Sequence, residues 1–202
     1  MTPTGALGIT LASTSATRRA LLTGAGVIFN AESPGVDEDA ARASMTGEGF
    51  TPRDMADALA ELKALKVSRR RGGLVIGADQ TLDLDGVTID KADTLIQARE
   101  RLLSLRGRRH KLHSAVVVAL AGNPIWREVA TATLTVRPFS DQFLDAYLAA
   151  EGEAMLGSVG CYRLEGLGAQ LFERIDGDYF AILGLPLLGL LDLLRRHGAL
   201  SS

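Results

Sequence analysis

Leu74-Val75-Ile76-Gly77-Ala78-Asp79-Gln80 is the segment on which the fold turns. A short apolar run bracketed by Arg69-Arg70-Arg71-Gly72-Gly73 on one side and by Asp79 on the other reads as a central strand. Asp79 then stands at its carboxyl end, in what resembles a sheet-edge active position. Working outward, Leu7-Gly8-Ile9-Thr10-Leu11-Ala12 is a second apolar run. Ser13-Thr14-Ser15 follows with hydroxyls suited to start a helix that carries Arg18, Arg19, Leu21 and Leu22. Val27-Ile28-Phe29 reads as another strand, and Ser33-Pro34-Gly35 turns the chain into the acidic run Asp37-Glu38-Asp39. Residues 40–52 carry the weakest pattern.

From Pro52, the spacing of Met55, Leu59, Leu62 and Leu65 predicts a helix that ends before the basic and glycine-rich segment. Beyond the central run, a hairpin-like 82–87 leads to Lys91, and 93–105 is amphipathic. Segments 113–120 and 127–136 read as strands joined at Gly122-Asn123-Pro124. Helices are expected over 141–150 and 187–197, and the glycine cluster from Gly157 to Gly168 reads as a loop. This order predicts an α/β or α+β sheet structure without internal repeats.

A chain of 202 residues with 47% hydrophobic and 23% charged residues and a net charge of -2 is expected to form one globular domain, 1–202. A nucleic-acid polymer is not expected as partner, because the basic excess is absent. A single cysteine, Cys161, excludes a disulfide framework and suits the cytoplasm. The amino terminus has no basic segment followed by a sustained apolar stretch, so no signal peptide is expected. Gly184, Pro186, Gly189 and Asp192 break the apolar run 182–194, so no membrane span is expected either.

Three carboxylates have settings that suit chemistry: Glu38 in the acidic run, Asp79 after the apolar run, and Glu165 among glycines. Such groups are ligands for Mg2+, which keeps several waters and bridges phosphate oxygens. Arg18, Lys63 and Lys91 could supply the positive charge a triphosphate demands, with arginine as a bidentate fork and lysine as a point charge. Ser13, Ser15 and Arg18 at a helix start would add backbone N–H groups for an anion. The dinucleotide fingerprint and the phosphate-binding loop are both missing. His110 and His113 lack a third ligand for zinc, Cys161 lacks an adjacent base, and Trp126, Tyr147 and Phe172 read as packing residues.

Together these residues resemble the Maf family of nucleoside triphosphate pyrophosphatases. The resemblance runs from Leu11-Ala12-Ser13-Thr14-Ser15-Ala16-Thr17-Arg18-Arg19 through Val36-Asp37-Glu38, Lys63-Ala64, Ile76-Gly77-Ala78-Asp79-Gln80, Lys91, His110 and Glu165-Gly166-Leu167-Gly168 to Gly184-Leu185-Pro186-Leu187. It implies a Maf/ITPase-like α/β fold, with a mixed central sheet, flanking helices and two lobes around a nucleotide-binding cleft. It also implies Asp79 as the catalytic carboxylate, with Glu38 and Asp79 placing a divalent cation, Mg2+ or Mn2+. Ser13, Arg18, Lys63 and Lys91 would contact phosphates. A homodimer fits this picture, and a noncatalytic nucleotide sensor is the alternative of another class.

Within the family, Gln80 and Glu165 look like the branch that cleaves 7-methyl-GTP, where the dTTP/UTP branch has threonine and glutamine. An ionised Glu165 offers only acceptors, which suit the N–H donors of guanine. Thr17 fits neither branch, since one has arginine there and the other tryptophan. The dTTP/UTP activity is therefore the alternative specificity.

Overall fold

The computed structural model describes residues 7–201, so the first residues of the amino terminus, where no signal peptide is expected, lie outside it. Among the described residues, seven strands form one sheet in the order β2-β1-β3-β5-β6-β7, with β4 paired to β3 off this path. Strands β1 (Ile9–Ala12), β2 (Asn30–Glu32) and β3 (Leu74–Leu84) are parallel, with β1 between the other two. On its other side β3 pairs antiparallel with β5 (Arg109–Leu120), which continues into β6 (Asn123–Val136) and β7 (Phe172–Asp176). The sheet is therefore mixed, and β3 belongs to both halves.

That double membership produces a gap. β1 accompanies β3 only as far as the pair Ala12–Gly77, whereas β4 (Val87–Ile89) joins the same edge from the pair Leu82–Ile89. Between them Ala78, Asp79, Gln80 and Thr81 have strand partners, among the described residues, only on β5. Asp79 is thus neither at the end of its strand nor at the edge of the sheet, as the sequence suggested. The apolar run marked only the first half of β3, because its second half alternates polar residues with Leu82 and Leu84.

Serine, threonine or aspartate side chains cap the first helices. Ser15 caps α1 (Ala16–Gly24), Asp37 caps α2 (Glu38–Gly47), Thr51 caps α3 (Pro52–Ser68) and Thr94 caps α4 (Leu95–Leu105). Ser140 and Asp178 do the same for α5 (Asp141–Glu151) and the single turn α6 (Tyr179–Ile182), and α7 (Leu187–Arg196) follows Pro186. Two expectations fail here. The segment 27–29 is not a strand, and β2 begins only at Asn30. The weakly patterned 40–52 is largely helical: α2 buries none of its residues, so it has no apolar stripe to read, and Asp37 and Glu38 form its start.

Side chains of β5 divide between two faces, as the strand period requires. Ala115, Val117 and Ala119 meet Ala56, Ala60 and Ala64 of α3, while Val116 and Val118 join Leu11, Leu22, Ile76, Leu190 and Leu194 in a second cluster. A third and larger cluster gathers Leu82, Leu102, Leu105, Leu112, Leu134, Leu144 and Leu171 at the other end of the sheet. The gap in β3 lies between these two larger cores. The buried stripe of α3 also runs through Met55/Ala56, Leu59/Ala60, Lys63/Ala64 and Val67, not through Leu62, which is exposed. No helix among the described residues is long and apolar enough to cross a membrane.

Candidate active site

At the gap, Asp79 is buried and each of its oxygens holds a cation. Lys63 Nζ donates to Oδ1 at 2.7 Å, and Arg42 Nη2 donates to Oδ2 at 2.9 Å. Lys63 also reaches Glu38 at 2.8 Å, so one ammonium joins two carboxylates. Lys63 is the one charged side chain in the alanine-rich stripe of α3, which brings it directly over β3. Close approach is possible because Gly77 has no side chain: a Cβ there would lie 2.2 Å from the Ala60 carbonyl oxygen and 2.5 Å from Ala64 N. Glu38 and Arg42 lie one turn apart on α2 and therefore face the same way.

Where β1 stops, the chain peels away into α1. Ser15 N donates to Ser13 Oγ at 3.2 Å, and Ser15 Oγ accepts from Arg18 N at 3.3 Å, which fixes the first turn. Residues 13–18 line the cleft, which places the amino-terminal end of α1 and its dipole at the cleft wall. Arg18 Nε donates to the Gly184 carbonyl at 2.8 Å. Burial pushes the Arg18 guanidinium below its ordinary value, against the opposing pull of Asp79 and Glu38. Arginine keeps its charge through such a shift.

Lys91, between β4 and α4, forms part of the facing wall. Its ammonium is pushed below the ordinary lysine value first by desolvation and then by Arg18, with Glu38 and Asp79 opposing. The chain from Ser158 to Glu165 completes that wall. Here Tyr162 OH lies 2.7 Å from His110 Nε2, and a Cβ on Gly160 would strike the Tyr162 ring at 2.1 Å. Desolvation lowers His110 to about 4, and its Nδ1 has no hydrogen-bond partner among the described residues. Arg163 sits between Glu151 Oε2 at 3.4 Å and Glu165 Oε1 at 3.5 Å. Arg101 donates to the Asp90 and Val159 carbonyls at 2.5 and 2.8 Å, which ties the Lys91 segment to this loop.

Asp79 and Gln80 are neighbours on a strand and so project to opposite faces. The Gln80 amide nitrogen is anchored by Ser114 Oγ at 2.8 Å and by the Ile182 and Ala181 carbonyls at 3.0 and 3.1 Å. All the sequence-derived candidates, namely Ser13, Thr17, Arg18, Glu38, Lys63, Asp79, Gln80, Lys91 and Glu165, border one cleft of about 590 Å3. That volume suits a nucleotide-sized ligand. Sequence reasoning missed Arg42, Arg101, Tyr162 and Arg163. Arg42 carried a usable signal, four residues beyond Glu38 on a helix that Asp37 caps, whereas the contacts of Arg101 are wholly tertiary.

No group of three or more histidine, cysteine, aspartate or glutamate side chains is gathered among the described residues. Glu38 and Asp79, linked through Lys63, nevertheless fit a cation that takes one or two carboxylates and completes its shell with phosphate oxygens and water.

Residues 8–197 match the family described as Maf-like protein. A nucleoside triphosphate pyrophosphatase of Caulobacter vibrioides is 66% identical over 193 residues, covering 96% of this chain and 97% of its own length. A nucleoside triphosphate pyrophosphatase of Granulibacter bethesdensis is 53% identical, with 95% and 98% covered. A 7-methyl-GTP pyrophosphatase of Rhizobium meliloti is 50% identical, with 95% and 97% covered.

Proposed function

The chain belongs to the Maf family, a hydrolase of phosphoric anhydride bonds, and we propose that it cleaves nucleoside triphosphates to the monophosphate and pyrophosphate with a preference for 7-methyl-GTP or a related modified purine nucleotide. The observation that carries the reaction is Asp79, buried at the gap in the sheet with Lys63 2.7 Å away and Arg18, Lys91 and the start of α1 around the same cleft.

The triphosphate lies along Ser13, the leading amides of α1 and Arg18. Asp79 accepts a proton from a water that attacks the α-phosphorus, and the bond from that phosphorus to the bridging oxygen breaks, releasing pyrophosphate. Lys63 and Lys91 face the charge that grows on the departing group. A divalent cation, Mg2+ by its preference for phosphate oxygens and few carboxylates, would be held by Glu38 and Asp79 and would supply further charge neutralisation. The base reaches the wall from Ser158 to Glu165, where the Glu165 carboxylate accepts from the N–H groups of guanine and offsets the positive charge of a 7-methylated ring. The Rhizobium meliloti relative supports this choice.

Arg163 favours a second reading. A guanidinium 3.5 Å from Glu165 presents donors beside its acceptors, and the carbonyls of thymine or uracil need donors. One matched panel of kcat/KM values for 7-methyl-GTP, GTP, dTTP, UTP and CTP with Mg2+ decides between them. A preference for 7-methyl-GTP that Glu165→Gln abolishes is expected, whereas a dTTP or UTP preference overturns the base assignment and leaves the reaction standing. Asp79→Asn should lower turnover by about 10²- to 10⁴-fold. Unchanged pyrophosphate release in that variant would remove Asp79 from the chemistry, and saturable binding without turnover of any nucleotide would make the protein a sensor.

A further inference from the structure

Arg42 occupies one oxygen of the carboxylate to which the proposed reaction assigns the proton, so the two roles compete for it. Asp79 Oδ2 lies 2.9 Å from Arg42 Nη2 while Oδ1 lies 2.7 Å from Lys63 Nζ. Each carboxylate oxygen keeps a further acceptor site, so a water can still reach Asp79, but on Oδ2 it would share that oxygen with the guanidinium. Of the two cations, the structure marks one as the easier to displace. Lys63 is 5% exposed, on a helix fixed to the sheet by its alanine stripe, and it has a second carboxylate in Glu38. Arg42 is 19% exposed, and it projects from α2, which buries none of its ten residues. Its other contact is a weak one, from Nη1 to Met55 Sδ at 3.8 Å. Arg42 also borders the cleft beside Ser13, Arg18 and Lys91, where the phosphates would lie.

We propose that Arg42 is a phosphate-binding residue that exchanges partners, leaving Asp79 Oδ2 for the oxygens of the triphosphate as the substrate enters. The exchange trades one anionic partner for another, and a guanidinium can grip two phosphate oxygens at once. It leaves Lys63 to orient Asp79 through Oδ1 and frees Oδ2 to accept the proton. Until a polyanion arrives, the base is held by the guanidinium, so proton abstraction is coupled to occupancy of the phosphate subsite. The ligand class is a linear polyphosphate, recognised by its charge and not by its base.

This inference rests on the triphosphate reading of the cleft, and its test is binding without turnover. Inorganic tripolyphosphate is titrated calorimetrically into metal-free protein, as wild type, Arg42→Met, Asp79→Asn and the double variant, with melting curves to verify folding. Arg42→Met is expected to weaken tripolyphosphate binding by about tenfold. Asp79→Asn is expected to tighten it several-fold, because Arg42 no longer has a carboxylate to leave, and that gain should vanish in the Arg42→Met background. If Asp79→Asn gains as much affinity with Arg42 absent, or if Arg42→Met binds as tightly as wild type, Arg42 is a fixed clamp and the exchange is wrong. Arg42→Gln carries the same expectations if the methionine variant does not fold. Failure of the wild type to turn over any nucleotide while this coupling persists would sink the proposed reaction and spare the exchange.

Discussion

Lys63 Nζ lies 2.7 Å from Asp79 Oδ1, and both side chains are about 95% buried, at 5% and 4% exposure. Buried charges are tolerated only in company, and removing one partner costs far more than the pair contributes. Lys63→Met keeps the aliphatic stem but leaves Asp79 with Arg42 alone and Glu38 without its cation. Stability to urea should fall by about 3 kcal/mol, and adding Asp79→Asn should restore much of it. A single variant as stable as wild type would mean that the pair carries no structural weight.

Gly77 is the close-approach point between β3 and α3. In Gly77→Ala the new methyl group meets the Ala60 backbone at 2.2 Å, so α3 must retreat and carry Lys63 away from Asp79. The expected cost is about 3 kcal/mol in stability. Turnover measured well below the melting temperature should fall as well, because the two charges separate. A folded Gly77→Ala enzyme of full activity would contradict this coupling of packing to catalysis.

His110 makes stability depend on pH. Desolvation holds its folded value at about 4, below the ordinary 6.5, so between these values the unfolded chain binds a proton that the native protein does not. Stability therefore rises with pH through that window. It is complete above about 6.5 and lost as pH falls to 4, by about 3 kcal/mol at most. Desolvation shifts His113 in the same direction and adds to the slope. Thermal melts across this range should show a shallower pH dependence in His110→Gln, which retains a hydrogen-bonding group for Tyr162; an identical slope would assign the acid sensitivity elsewhere.

Arg101 is a positioning residue for both walls of the cleft, through the Asp90 and Val159 carbonyls. Arg101→Met frees the segment bearing Lys91 from the loop bearing Tyr162 and Glu165. A roughly tenfold rise in KM is expected from misplaced binding groups, with a smaller change in kcat. Arg101→Lys, which can still donate to a carbonyl, should recover part of the loss. Equal losses in KM and kcat, without rescue by lysine, would indicate general unfolding of this region.

Much of the site was legible because its residue types announce themselves. A carboxylate after an apolar run, hydroxyls at a helix start and a lysine in a helix all stand out in the chain. The segment 40–52 does not, since α2 buries nothing and so carries no hydrophobic periodicity. Arg42 went unnoticed for that reason. The strand expected at 27–29 misled in the opposite direction, because an apolar triplet need not pair: Ile28 is 90% exposed. In α3 the leucines stand out in the sequence, whereas the sheet packs against the alanines, which permit the close approach at Gly77.

By itself the sequence determined the central strand, the caps that start most helices, and the inventory of charges suited to a triphosphate, because each depends on neighbours within a few residues. Only the tertiary structure decided where those charges meet. The site exists because β1 leaves β3 at Gly77 and β4 does not join until Leu82, and strand length and register are set by pairing between segments far apart in the chain. The partners of Asp79 are likewise 16 and 37 residues away, on two helices whose faces are fixed by what each one packs against.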